Sequence, residues 1–275
     1  MPPDTGGGPD WYVRVVSLLV LWDVDHTLLD AGGAGIQLIR RAFTEMFGRD
    51  FPHTPALAGR TDRAIQLEVL TLSGVPDPRA QLPVFQELIA GLAPQLGGLV
   101  RESGRALPGA TEALTAVAAL ADGRGGLDHR APDRSGPDNR APLVQSVLTG
   151  NMQATAAAKL AALDLDRFLD LRVGAYGDAH EIRADLVPLA RARAAAAYGG
   201  DFAGRATVLI GDTPLDIEAA RLAGARCIAV ATGGFSAAEL AAAGAGTVLP
   251  DLADTARVLA AIMPGVRDTL PSGDG

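Results

Sequence analysis

At 275 residues with 48% apolar content, the chain can bury a substantial interior, either as one large domain or as a core with a smaller companion. Its formal charge of −8 argues against a general binder of nucleic acid or of anionic membranes, because those rely on basic surfaces. One cysteine, Cys227, cannot form an internal disulfide and suits a reducing cytoplasm, while the separated histidines at positions 26, 53, 129 and 180 lack zinc-ligand spacing.

Residues 1–12, rich in Pro and Gly, are expected to be a disordered lead. The apolar run Val13–Leu21 is far shorter than the ~20 residues of a membrane span and leads straight into two acids, so it reads as a first core strand. Those acids, Asp23 and Asp25, follow the stretch Ser17–Trp22. Side chains alternate along a strand, which predicts that both carboxylates share one side of its tip. Two acids held that close have pKa values driven apart, or share a cation, and the pair points to metal-assisted phosphoryl-transfer chemistry.

After Asp30, Gly32–Gly35 reads as a hinge, followed by a helical pattern carried by Ile39, Ala42, Phe43, Met46 and Phe47. Gly59-Arg60-Thr61-Asp62 introduces a helix over Ala64–Leu72, Pro76–Arg79 breaks it, and Leu82–Leu92 resumes the pattern. Leu107–Ala110 leads into a helix over Thr111–Leu120, and residues 122–142, dominated by Gly, Pro, Asp and Arg, read as a flexible surface insertion. The strand Leu143–Leu148 ends in Thr149-Gly150-Asn151, and the helix Ala154–Leu163 carries Lys159, the chain's sole lysine. Arg183 precedes another helix. A further apolar strand from Ala206 then ends in Asp212, with Pro214 opening a helix and Asp216 in its first turn. Cys227 falls in the strand pattern Ala225–Ala231, Glu239–Gly246 reads as helix and turn, Val248-Leu249-Pro250 as a final strand, and residues 264–275 as a loose tail. Three strands tipped with acids or hydroxyls describe one site, since ligands of open α/β sheets collect at the carboxyl ends of the strands.

Asp-Val-Asp-His-Thr-Leu, then Thr-Gly-Asn after a strand, then Ile-Gly-Asp-Thr-Pro-Leu-Asp, in that order, resemble the first, second and fourth motifs of the haloacid dehalogenase-like superfamily, in particular its phosphoglycolate-phosphatase-like branch. The resemblance runs from about Leu18 to about Ala261. It implies an α/β fold, a doubly wound Rossmann-like parallel sheet formed by residues 13–30 and 107–263, with an α-helical cap inserted at 31–106. It also implies magnesium-dependent hydrolysis of a small phosphorylated metabolite. Asp23 would be the nucleophile and Asp25 the general acid and base. Magnesium would be held by Asp23, Asp25 through its carbonyl, and Asp212, with Asp216 as a further ligand or an anchor. Thr149, Gly150 and Asn151 would bind the phosphoryl oxygens.

This chain departs from the family pattern at two places. His26 stands where relatives carry Gly and is a candidate to shape the mouth of the site or to touch substrate. The third-motif lysine is absent, and Arg183 is favoured over Lys159 as the catalytic cation because it is nearer the expected position. Arg60, in the loop that relatives close over the site, is a candidate substrate contact. With no lysine in the expected cap, a phosphonoacetaldehyde hydrolase is disfavoured, and the presence of Asp25 disfavours a haloacid dehalogenase proper. A sugar phosphomutase of the β-phosphoglucomutase type, or a non-catalytic relative that binds metal or a partner, stays open. Neither the substrate nor the oligomeric state is legible.

Overall fold

The computed structural model describes residues 17–122 and 142–264. Strand β1 (Leu18–Trp22) is followed by the short β2 (Leu29–Asp30), helices α1 (Ala34–Phe47), α2 (Asp62–Leu72) and α3 (Pro78–Ser103), and β3 (Arg105–Ala106). Next come α4 (Ala110–Asp122), β4 (Leu143–Thr149), α5 (Gln153–Ala162), β5 (Ala175–Tyr176), α6 (Leu186–Tyr198), β6 (Thr207–Gly211), α7 (Pro214–Leu222), β7 (Arg226–Val230), α8 (Ala237–Ala242), β8 (Thr247–Leu249) and α9 (Thr255–Ile262).

Six strands form one sheet in the order β5-β4-β1-β6-β7-β8, every pair parallel. The fold is therefore a doubly wound α/β sheet flanked by helices. Apolar residues on consecutive positions of β1 explain why both faces are covered, because a strand buried on both sides has no polar alternation. Leu18, Val20 and Trp22 face one core with α4 and α9, whereas Leu19 and Leu21 face the other, with Leu186, Val187 and Ala190 of α6 and Ala219 of α7. Each such buried aliphatic side chain stabilises the fold by about 1.5–3 kcal/mol. The indole N–H of Trp22 donates to Gln145, whose amide donates in turn to the Leu114 carbonyl, so these buried polar groups are satisfied.

The chain runs outward from β1 to β4 and β5, then returns to the far side of β1 for β6, β7 and β8. The reversal opens a crevice at the carboxyl ends of β1, β4 and β6. Helices α1–α3 stand over it, joined to the sheet through the antiparallel pair β2–β3 and the Asp30–Arg105 ion pair. Phe43 packs edge-on against Phe51 and Phe85 inside this helical layer.

Several expectations are adjusted. Of the glycines read as a hinge, Gly32 and Gly33 have φ of 60° and 76°, which suit glycine, while Gly35 already lies within α1. Helix α3 begins at Pro78 and runs to Ser103, longer than Leu82–Leu92. Proline is tolerated at the first helical position, the Asp77 carboxylate caps the amide of Ala80, and Gly97 allows close approach to the Ala158 carbonyl of α5. Strand β1 ends at Trp22, so its alternation does not extend to Asp25. The lead, residues 13–16 of the first apolar run, nearly all of the 122–142 insertion and the tail from 265 onward lie outside the described residues.

Candidate active site

Asp23 leaves β1 with its amide bonded to the Ile210 carbonyl of β6, which fixes it at the crevice. Its buried carboxylate lies 3.0 Å from Arg183 Nη2, and the same nitrogen lies 2.6 Å from Asp216 Oδ1. Arg183 opens the turn before α6, is itself buried, and also donates to the carbonyls of Leu148 and Gly59. Asp216 caps α7 reciprocally with Thr213: Asp216 Oδ2 accepts from the Thr213 amide and hydroxyl, and Oδ1 is left for Arg183. Both of its oxygens are engaged, which makes it the anchor of Arg183.

Asp23, Asp212 and Asp216 each offer an oxygen within 4.8 Å of the others, all three buried. Burial pushes the Asp23 carboxyl up to about 6, although Arg183 pulls it down, with Asp216 adding repulsion. Burial and then repulsion from Asp23 and Asp216 push Asp212 up to about 8. One guanidinium leaves this group of three acids short of positive charge. A small hard cation with oxygen ligands fits the deficit. Asp212 is oriented by the Thr27 hydroxyl at 3.3 Å, and Gly233 is required because a Cβ there would lie 1.8 Å from Asp212 Oδ2.

Asp25 occupies different surroundings. Burial would raise its carboxyl, but the Lys159 ammonium and hydrogen bonds from Lys159 and Asn151 outweigh this and hold it below the usual carboxylate range. Lys159 Nζ reaches Asp25 Oδ2 and Asn151 Oδ1, both at 2.6 Å, and the Asn151 amide donates to Asp25 at 2.7 Å and to Thr149 Oγ1 at 2.9 Å. The two acids thus diverge through unlike neighbours more than through repelling each other. Both cations weighed from the sequence reach the site, Arg183 at Asp23 and Lys159 at Asp25.

Thr149 Oγ1 accepts from the amide and the side chain of Asn151, so its own proton is left to donate. Asn151, expected among the phosphoryl-binding groups, has its side-chain amide committed to Asp25, Thr149 and Lys159. Gly150 lies under the α2 loop, where a Cβ would meet the Arg60 carbonyl at 2.0 Å. That loop closes the crevice. The Asp62 amide donates to the Gly150 carbonyl, the Arg63 amide to Gly177, and the Met152 amide to Asp62 Oδ2. Arg79 and Arg63 pair with Glu181 beside it. Arg60 lines the enclosed space with its guanidinium 2.6 Å from Glu68.

His26, exposed at the mouth, has φ 58°, the left-handed region that glycine occupies without strain. The resulting cavity, about 570 Å³, is lined by Asp23, Asp25, Thr149, Lys159, Arg183 and Asp212 among others. Thr27, Asp62 and Gly233 were missed in the sequence. Thr27 appears there only as a hydroxyl two residues past Asp25, and Asp62 only as the start of a helix.

Residues 183–255 match the family model described as HAD-hydrolase-like. The fold is similar to that of a hydrolase from Pseudomonas syringae (21% identity, 88% of this chain and 97% of the other, TM-score 0.57). It is also similar to that of a predicted phosphatase from Clostridium acetobutylicum (15% identity, 89% and 99%, TM-score 0.57). A third likeness is to a protein from Thermotoga maritima assigned as a β-phosphoglucomutase (19% identity, 90% and 100%, TM-score 0.52). No protein of curated function matches the chain.

Proposed function

We propose that this chain, a haloacid dehalogenase-like protein by fold and by its match over residues 183–255, is a magnesium-dependent phosphatase acting on a small organic phosphate monoester. The observation that carries the reading is the shared cavity in which the buried Asp23 meets Arg183 and Asp212, while Asp25 stands apart under Lys159.

Asp23 attacks phosphorus in line and becomes an aspartyl phosphate, releasing the alcohol; water then displaces the carboxylate to give inorganic phosphate. Asp25 delivers the proton to the departing alkoxide and later takes one from that water. Lys159 and Asn151 hold the Asp25 carboxylate in place, and Arg183 compensates charge on the phosphoryl group beside Asp23. The Thr149 hydroxyl donates to a phosphoryl oxygen as charge builds there. Asp23 and Asp212, with the carbonyl of Asp25, would hold magnesium, and Asp216 would keep Arg183 aligned. When bound, the ion supplies positive charge to the phosphoryl oxygens and keeps the neighbouring acids ionised. The helical layer over the crevice, acting as a cap, keeps bulk solvent from the acyl phosphate while admitting the one water that Asp25 activates.

The test is phosphate release from p-nitrophenyl phosphate and a panel of metabolite phosphates, with and without magnesium, for wild type and Asp23→Asn. Magnesium-dependent release that disappears in Asp23→Asn is expected, and retained turnover in that variant refutes the assignment. Interconversion of glucose phosphates without phosphate release would instead favour a mutase, the activity assigned to the Thermotoga maritima neighbour.

A further inference from the structure

Besides the acids and cations described above, the cavity over Asp23 is lined by Ile36 and Ile39 of α1, Leu57, Ile65 of α2 and Ile89 of α3, and by two further acids, Asp30 and Asp62. The cations are already spoken for. Arg60 is neutralised by Glu68 at 2.6 Å and donates to the Ala56 carbonyl, Lys159 is held between Asp25 and Asn151, and Arg183 lies between Asp23 and Asp216. Asp62 is anchored through Oδ2 by the Met152 amide and Asp30 by Arg105, so both keep their place in the wall.

A second anionic group on the substrate would therefore meet isoleucine and two carboxylates, with every lysine and arginine that lines the cavity already paired, which is strongly unfavourable. A polyol would lose its hydrogen bonds to water against the same apolar surface. A short hydrocarbon chain gains by burial there, and about 570 Å³ is ample for one. Resting on the phosphatase reading, we infer that the alcohol released is neutral and largely aliphatic, and that esters bearing a carboxylate next to the phosphate, phosphoglycolate among them, are discriminated against by this wall.

The test compares kcat/KM for n-butyl phosphate, 2-phosphoglycolate and glucose 6-phosphate, with p-nitrophenyl phosphate as the reference for the phosphatase reading. Butyl phosphate is expected to exceed phosphoglycolate by about tenfold or more, the range in which apolar pockets discriminate. Ile36→Arg, at a half-buried position of α1, should narrow or reverse that preference by supplying a cation to the wall, with circular dichroism and a melting curve as its check of folding. A wild-type preference for phosphoglycolate or glucose 6-phosphate, while p-nitrophenyl phosphate is still hydrolysed, overturns the inference and leaves the phosphatase reading standing. Absence of turnover on every ester, p-nitrophenyl phosphate included, overturns both.

Discussion

Arg183→Gln is the substitution on which the site's electrostatics can be measured most sharply. Arg183 Nη2 lies 3.0 Å from Asp23 and 2.6 Å from Asp216, and all three groups are buried. At an effective dielectric of about 20, one unit pair 3 Å apart is worth ~5 kcal/mol, from which the cost of burying the ions must be subtracted. Removing one member of such a pair leaves carboxylates uncompensated and typically costs about 3–5 kcal/mol. At about 2–4 °C per kcal/mol for a chain of this size, the metal-free variant should melt roughly 6–20 °C below wild type. Turnover should fall by about 10²–10³, the loss expected when a donor to the developing charge is removed. Added magnesium should narrow the stability gap, because an ion on Asp23 and Asp212 replaces part of the missing charge. Arg183→Lys keeps the charge without the fork geometry and should fall between the two. Calorimetry with and without magnesium, beside phosphate release, reads all of these. If Arg183→Gln melts within about 2 °C of wild type and keeps its rate within about threefold, the three-way charge arrangement has no such role.

Lys159→Met, which fills similar space, removes the ammonium 2.6 Å from Asp25; the Asp25 carboxyl should rise, and turnover should fall by about 10²-fold with a pH–rate profile displaced upward, an unmoved profile counting against the pairing. In metal-free protein, Asp23, Asp62 and Asp212 have folded pKa values raised to about 6, 6 and 8. Their contribution to stability is therefore complete below about pH 4 and is lost as pH climbs through 6 to 8. Magnesium needs the ionised acids, so its rise in melting temperature should be larger at about pH 8.5 than at about pH 5.5, and an equal rise at both would contradict these shifts. His26→Gly should relieve left-handed strain and stabilise the fold by about 1 kcal/mol in denaturant titration, and an unchanged or lowered stability counts against strain at this position.

What could be read in the sequence followed from where local chemistry and topology coincide. Strands β1 and β6 are largely apolar runs that stop at Asp23 and Asp212, β4 is an apolar stretch broken by Gln145 and Ser146 that ends in Thr149, and a parallel sheet brings such ends together. Lys159 was harder. Helical spacing puts it on α5 but does not say where a long flexible side chain ends, and only the packing of α5 against α3 aims it at Asp25. The Thr27 hydroxyl and Gly233 act through contacts across ~185 or more residues of chain or through a missing Cβ, neither of which leaves a periodic signal. Strands β2 and β3 have two residues each, too short for any pattern. The strain at His26 was visible only as an odd residue in a glycine's place, and its φ gives that oddity a physical meaning.

Phosphoryl transfer to one particular carboxylate is tested most directly by acid-quenching the enzyme during turnover of a radiolabelled phosphate ester and locating the label by peptide mapping. The label is expected on the peptide that carries Asp23 and should be absent from Asp23→Asn. Sustained turnover with the label on another residue, or Asp23→Asn turning over at the wild-type rate, would contradict nucleophilic attack by Asp23.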